Sequence, residues 1–308
     1  MDNMEYSRSE IVVSSVSFTL VIVSIIAITY NYFIIRQLLR RQDYNKRKEL
    51  HLIYYRFFVD VIASTVSLSN GVIQFTIVTT RNTTQLGQNL RFFAAMGSAQ
   101  LVTMSSYITF FVVLTRIYAV MRPMRYKCLD HQRISLILLI TSILIGLQLN
   151  TGLIACGQTM DYVPNCISTA CTLTRCSSVF HSTFKVVLAC AVLSAGTILV
   201  VYMYFKYHTS KSSLSKKLMK LNLIALVDVV SFAFMFFLPS SVVLMLSTFK
   251  ISTNIGPVGG VGEVLFMIVE GRLGKLAYSA SRSAEPSSNK ISTVQHKRSQ
   301  QTIFSYDT

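Results

Sequence analysis

Apolar runs of roughly twenty to thirty residues alternate along this chain with short polar segments crowded with lysine and arginine. The first run, Ile11 to Ile35, is broken only by small hydroxyl side chains, tyrosine and Asn31. A hydrocarbon core ~30 Å thick takes about 20 apolar residues of helix to cross, so this run predicts a membrane helix. A cleavable leader would carry a shorter apolar stretch with its positive charge in front; here the basic flank comes afterwards. The pattern recurs and predicts helices over about 11–35, 51–79, 92–120, 134–155, 183–205, 221–246 and 254–278. The last is the weakest, since it holds Glu263, Glu270, Arg272, Lys275 and several glycines. The expected fold is an all-α membrane protein, a seven-transmembrane helix bundle over residues 11–278. Residues 1–10 form a short N-terminal segment and 279–308 a Ser-rich tail that lacks the apolar side chains needed to order it.

Charge fixes an orientation for this layout. The chain is 52% hydrophobic and only 14% charged, against about 25% charged in a soluble domain. Its 29 Lys and Arg outweigh 13 Asp and Glu, for a net +16. No nucleic-acid-binding motif accompanies that surplus, which sits in the loops. With the N-terminus extracellular and the C-terminus cytoplasmic, 22 of the basic residues fall in the inner loops and tail and six in outer segments. That is the positive-inside distribution. Asn82-Thr83-Thr84, the one glycosylation sequon, then falls in the first outer loop, so Asn82 is the expected glycosylation site. Phosphorylation of the serine-rich tail would add negative charge there.

Signals of enzymatic chemistry are nearly absent. The five histidines are scattered, with no H-E-x-x-H and no glycine-rich phosphate loop, so neither a catalytic site nor a bound cofactor is expected. Ionisable residues within a membrane helix cost about 2.5–3.5 kcal/mol on insertion scales and are kept when they pair or face a polar interior. Arg56 and Asp60, four residues apart, share a helix face and can pair, either as a simple packing anchor or as part of an interior network that rearranges on switching. Asp228 lies in the sixth predicted helix. Pro239 bends the same helix, and Phe237, at the end of F-M-F-F just before it, is a plausible pivot. Ser98, Val102 and Thr103 of the third helix are candidate ligand contacts, although small hydroxyl residues also serve helix packing. Cys156, Cys166, Cys171 and Cys176 lie in the second outer loop, where two disulfides in any of three pairings are possible. That loop has no histidine before His181, which argues against a metal site.

The end of the third helix carries the most specific motif. Leu114 to Tyr126 reads L-T-R-I-Y-A-V-M-R-P-M-R-Y and resembles the D-R-Y-x-A-V-x-x-P-x-x-Y start of the second inner loop in rhodopsin-like seven-helix receptors. Arg116, Ala119, Val120, Pro123 and Tyr126 match in register; Thr115 replaces the acid and Ile117 the tyrosine. The whole chain is similar to nematode serpentine chemoreceptors of the Srbc class. The stretches that carry this are Y-Y-R-F-F-V-D (Tyr54 to Asp60), R-I-Y-A-V-M-R-P (Arg116 to Pro123), and the C-x9-C-x4-C-x4-C loop with Pro164. They continue with L-I-A-L-V-D (Leu223 to Asp228) leading to F-L-P (Phe237 to Pro239), and N-I-G-P (Asn254 to Pro257) leading to Glu270.

The resemblance implies a chemosensory G-protein-coupled receptor in the plasma membrane of sensory neurons, on their cilia. Its partners would be a small-molecule odorant or water-soluble cue, a heterotrimeric G protein and the lipid bilayer, and no nucleic acid. Arg116 would engage the Gα C-terminus, with Tyr118, Pro123 and Tyr126 around it. Arg56, Asp60, Asp228, Phe237, Pro239, Glu270 and Tyr278 would form the interior switch, and ligand would enter among helices three, five, six and seven under the cysteine loop. Rhodopsin-like receptors mostly tether that loop to a cysteine atop the third helix; here that helix top reads N-L-R-F-F, so the loop is stapled to itself. The seventh helix reads G-K-L-A-Y where N-P-x-x-Y is usual, with only Tyr278 in place. Two other classes compete. A ligand-gated channel of the inverted seven-helix type would place the N-terminus inside, against the charge distribution. A small transporter would commonly show internal repeats, and none is evident.

Overall fold

The structure is a computed structural model and describes residues 2–40, 51–80, 84–158, 163, 173–208, 227, 229–248 and 258–282. Among them there is helix and connecting turn but no strand. The helices are α1 (Asp2–Arg40), α2 (His51–Thr80), α3 (Gln85–Met121), the short α4 (Pro123–Lys127), α5 (His131–Ala155), α6 (Arg175–His208), α7 (Leu238–Thr248) and α8 (Val258–Arg282). Immediately before α7, Ala233–Phe237 form a π-helical turn. Asn82, Cys166, Cys171 and Asp228 lie outside the described residues, as do Asn254 to Pro257 and the tail beyond Arg282.

α1, α2, α3, α5 and α6 are long and apolar enough to cross a membrane. The sequence accounts for where several of them begin and end. Thr84 caps α3 by accepting from the Gly87 amide at 3.3 Å, satisfying one of the amides a helix start leaves over. Asp130 does the same for α5 through Arg133. Arg122 leaves helical geometry at φ −133°, ψ 66°, and Pro123, which has no amide hydrogen to lose, opens α4. α1 continues through the polar stretch ahead of Ile11, and α8 four residues past Tyr278.

The helices close into one bundle. α2 packs between α1 and α3, α3 meets α5 and α6, α6 meets the π-turn and α7, and α8 returns to α1. The largest core cluster joins α3 (Val102, Val113, Val120) to α6 (Leu188, Val192, Leu199), to Phe232 and Phe236, and to Phe266 and Met267 of α8. Many of the outward side chains are large and apolar, among them Phe33, Phe58, Leu144, Ile198 and Phe205. Apolar side chains on both the inner and outer surfaces are what a helix needs when lipid rather than water surrounds it.

One end of the bundle is stapled. A disulfide joins Cys156, just past α5, to Cys176 at the start of α6. Beside it Gln88 of α3 binds the Val163 backbone twice, donating to the carbonyl at 2.7 Å and accepting from the amide at 3.1 Å. Arg116 lies at the far end of α3, about 40 Å from Gln88 at 1.5 Å per residue.

Candidate functional site

Among the described residues, Arg56 pairs with Glu270 and Lys185 with Glu263 inside the bundle, and α8 supplies the carboxylate of each. Glu263 and Glu270 are seven residues apart, two helical turns and about 10 Å along the axis, and so project from the same face. Phe266 and Met267, also on that face, lie between them in the core.

Glu270 is the more enclosed. Its side chain is 1% exposed and pairs with the Arg56 guanidinium of α2, itself 6% exposed. Arg56 Nε donates to Glu270 Oε2 at 2.9 Å, and a second guanidinium nitrogen contacts Oε1. Thr109 of α3 donates to the same Oε1 at 3.2 Å, and the guanidinium sits 5.8 Å from the centre of the Phe266 ring. One turn along α2 from Arg56, the fully buried Asp60 accepts a hydrogen bond from Ser105 of α3. Three helices thus meet on a polar centre that lipid cannot hydrate, and the charge is tolerated because it is paired.

Glu263 pairs with Lys185 of α6, nearer the disulfide end. Their side chains are 10% and 17% exposed. The Lys185 ammonium also lies 5.7 Å from the centre of the Phe236 ring, a cation–π distance. His181, one turn from Lys185 on α6, is buried with its Nε2 atom unpartnered.

The two ion pairs are joined by aromatic contacts. Phe236, beneath Lys185, stacks on Phe232 with ring centroids 4.6 Å apart. Phe232 meets Phe266 edge-on at 5.2 Å, and Phe266 carries the Arg56 guanidinium. The series Lys185, Phe236, Phe232, Phe266, Arg56 therefore runs unbroken through the core.

Pro239 shapes the middle of this series. Proline has no amide hydrogen, so Met235, four residues earlier, loses the helical donor to its carbonyl. The chain widens into the π-turn instead, with the Leu238 amide bonding back five residues to Ala233. The Met235 carbonyl faces α8 at Gly262, where an added Cβ would lie 3.0 Å from that oxygen. Turns of this type are frequent at functional positions. Here the turn contains Phe236, which is buried in the core, while Phe237 packs at the edge of the same cluster.

The other sites expected from sequence distribute along α3. Ser98 is buried against α2, sharing a 2.6 Å hydrogen bond with Ser67. Val102 belongs to the main core cluster with Phe236 and Leu188. The Thr103 hydroxyl donates to the Ala99 carbonyl of its own helix. At the far end Arg116 is half-buried, and among the described residues no carboxylate pairs with it. Thr115, where the related motif has an acid, turns its hydroxyl back to the Val112 carbonyl at 2.8 Å. Tyr118 is exposed, its ring centroid 6.5 Å from that of Tyr126, which in turn lies 4.5 Å from His131. Arg116, Tyr118, Pro123 and Tyr126 thus occupy one end of the bundle. The structure brings Arg56, Asp60 and Glu270 together near the middle.

The sequence model of the family described as "Serpentine type 7TM GPCR chemoreceptor Srbc" matches residues 9–273. The chain belongs to the Srbc chemoreceptor family. That match spans the disulfide, both ion pairs and the Arg116 end, so the chain is a multi-pass membrane protein of a receptor family. Comparison with curated proteins gives no match.

Sequence reasoning had singled out Arg56, Asp60 and Glu270 but missed Lys185 and Glu263, counting them only as loop or weak-helix charges. A usable signal was present. Glu263 and Glu270 share a seven-residue spacing on one apolar helix, and each needs a cation. Arg56 lies inside the second apolar run, and Lys185 stands just inside the start of the fifth.

Proposed function

We propose that this Srbc-family chain is a chemosensory G-protein-coupled receptor of the plasma membrane, displayed on sensory-neuron cilia, N-terminus outside and C-terminus inside. It detects a small environmental chemical from the disulfide end and activates a heterotrimeric G protein at the Arg116 end. The observation that carries this reading is the family match over residues 9–273. Three features support it. The basic residues concentrate at the segments assigned to the cytoplasm. Arg116 is half-buried without a carboxylate partner among the described residues, so it is available to a Gα C-terminus. The aromatic series between the two ion pairs supplies a contiguous route through the core, and a ligand that favours one arrangement of it biases the receptor between two states. With Thr115 in place of the acid, the resting activity of the receptor is set differently from that of receptors in which an acid precedes this arginine.

The test is Gα recruitment in cells expressing the chain, exposed to an odorant panel, with membrane current recorded alongside and Arg116→Ala as control. Recruitment by the parent and its loss in the variant, without direct current, is the expected result. A ligand-evoked current that persists when G proteins are blocked would replace this reading with a channel.

A further inference from the structure

We propose that the Lys185–Glu263 pair is a ligand site for a small zwitterion, an α-amino acid with an apolar or aromatic side chain. The inference rests on the receptor reading above and names the ligand class for it.

Opening the pair has a cost in buried charge. Lys185 and Glu263 satisfy one another directly, and the Lys185 ammonium also faces the Phe236 ring. A ligand carrying a carboxylate alone displaces Glu263 and leaves its charge buried without a partner. A ligand carrying an ammonium alone strands Lys185 in the same way. Uncompensated charge in a low-dielectric interior is strongly unfavourable. A ligand with both groups re-pairs both side chains, its carboxylate on Lys185 and its ammonium on Glu263. The exchange is then close to neutral in charge terms, and contacts of the ligand's remaining atoms decide affinity.

Two further observations support a ligand there. His181 stands one turn from Lys185 on α6, nine-tenths buried and, among the described residues, with Nε2 unpartnered. That nitrogen is a ready partner for a second ligand heteroatom, and buried polar atoms are seldom left unsatisfied without a reason. The surroundings are apolar and aromatic: Phe236, Phe232 and Val102 belong to the core cluster that adjoins the pair. This environment selects an apolar side chain on the zwitterion. The pair also retains slight exposure, 10% and 17%, where Glu270 has 1%. The site is therefore more accessible than the Arg56–Glu270 pair, and it lies on the disulfide side.

Binding is measured by the thermal stability of the full-length receptor in detergent or nanodiscs, a readout independent of G protein. The probes are the common L-amino acids, with 3-phenylpropanoate and phenethylamine as single-charge analogues of phenylalanine. At least one apolar or aromatic amino acid is expected to raise the melting temperature at millimolar concentration. Its single-charge analogues should bind at least tenfold more weakly, because each leaves one buried charge alone. The doubly neutral variant Lys185→Gln with Glu263→Gln, which keeps the shape of both side chains, should lose the shift while melting cooperatively. Three results would overturn the proposal: no amino acid stabilises the parent, the single-charge analogues work as well, or the shift survives in the doubly neutral variant. Gα recruitment measured in parallel separates the two readings. An uncharged odorant that recruits Gα while no amino acid binds sinks the zwitterion site and leaves the receptor. An amino acid that stabilises the chain without Gα recruitment keeps the site and removes the G-protein reading.

Discussion

Glu270 and Glu263 are the same residue type on the same face of α8, yet their surroundings give them different work. Glu270 accepts from Arg56 Nε and from Thr109, a second guanidinium nitrogen lies against it, and Arg56 is also covered by the Phe266 ring. Glu263 has Lys185. Arginine presents a planar fork that binds a carboxylate at two points, whereas lysine presents a single point charge on a flexible stem. The first pair is an anchor that fixes α8 against α2 and α3. The second is held at a single point and is the contact that the proposed zwitterion would open. A helix held firmly at one point and loosely two turns away is suited to tilt about the firm point, and the rings of Phe236, Phe232 and Phe266 join the two.

The sharpest way to break that contrast is to remove the anchor's cation. Arg56→Ala strands Glu270 in the core and should destabilise the receptor by about 3–5 kcal/mol, the usual cost of breaking a buried pair on one side. Surface expression and detergent melting temperature both report it. Replacing both partners, Arg56→Met with Glu270→Leu, should restore much of that loss, because two apolar side chains leave no charge behind. If the double variant is as unstable as the single, the pair is not the unit described here.

Cys156→Ser comes next. Opening the loop between Cys156 and Cys176 should cost about 2–4 kcal/mol, and it should loosen the Lys185 region of α6 before the Arg56 centre. Hydrogen exchange resolved along α6 and α2 distinguishes these, and equal loosening of both would blur the comparison.

Phe232→Leu removes ring contacts to both Phe236 and Phe266, each worth about 0.5–1.5 kcal/mol. Beyond that modest stability loss, ligand-evoked Gα recruitment should fall while ligand-induced stabilisation is kept. Unchanged recruitment would mean the ring series is packing and not a route. The smallest effect is expected of Thr109→Val, which deletes one hydrogen bond to Glu270, at about 0.6 kcal/mol as averaged for hydrogen bonds between membrane helices.

Much of this architecture was legible in the sequence, for reasons that are physical. Apolar runs of membrane length announce helices, and five of those described are long and apolar enough to span. The cysteine loop announced a staple, and the structure pairs Cys156 with Cys176 out of the alternatives the spacing left open. The interior was less legible. Arg56 and Asp60, four residues apart on one helix, suggest a local pair, and nothing in their spacing signals that Arg56 also reaches Glu270, 214 residues away. No periodicity encodes that, because helix rotation is poorly specified when every face is apolar. The same blindness hid Lys185 and Glu263. Pro239 signalled a departure from regular helix, but neither the π-turn nor the close approach of the Met235 carbonyl to Gly262 across the interface is displayed by local sequence.

The contrast between the two carboxylates is tested most directly by one ligand-free measurement: surface abundance and melting temperature of Glu270→Gln and Glu263→Gln, side by side. The account predicts a loss of surface population and melting temperature for both, much the larger for Glu270→Gln and the smaller for Glu263→Gln, whose stranded Lys185 keeps slight exposure. Equal losses, or a larger loss for Glu263→Gln, would contradict it, because the pair assigned to ligand exchange would then be the structural one.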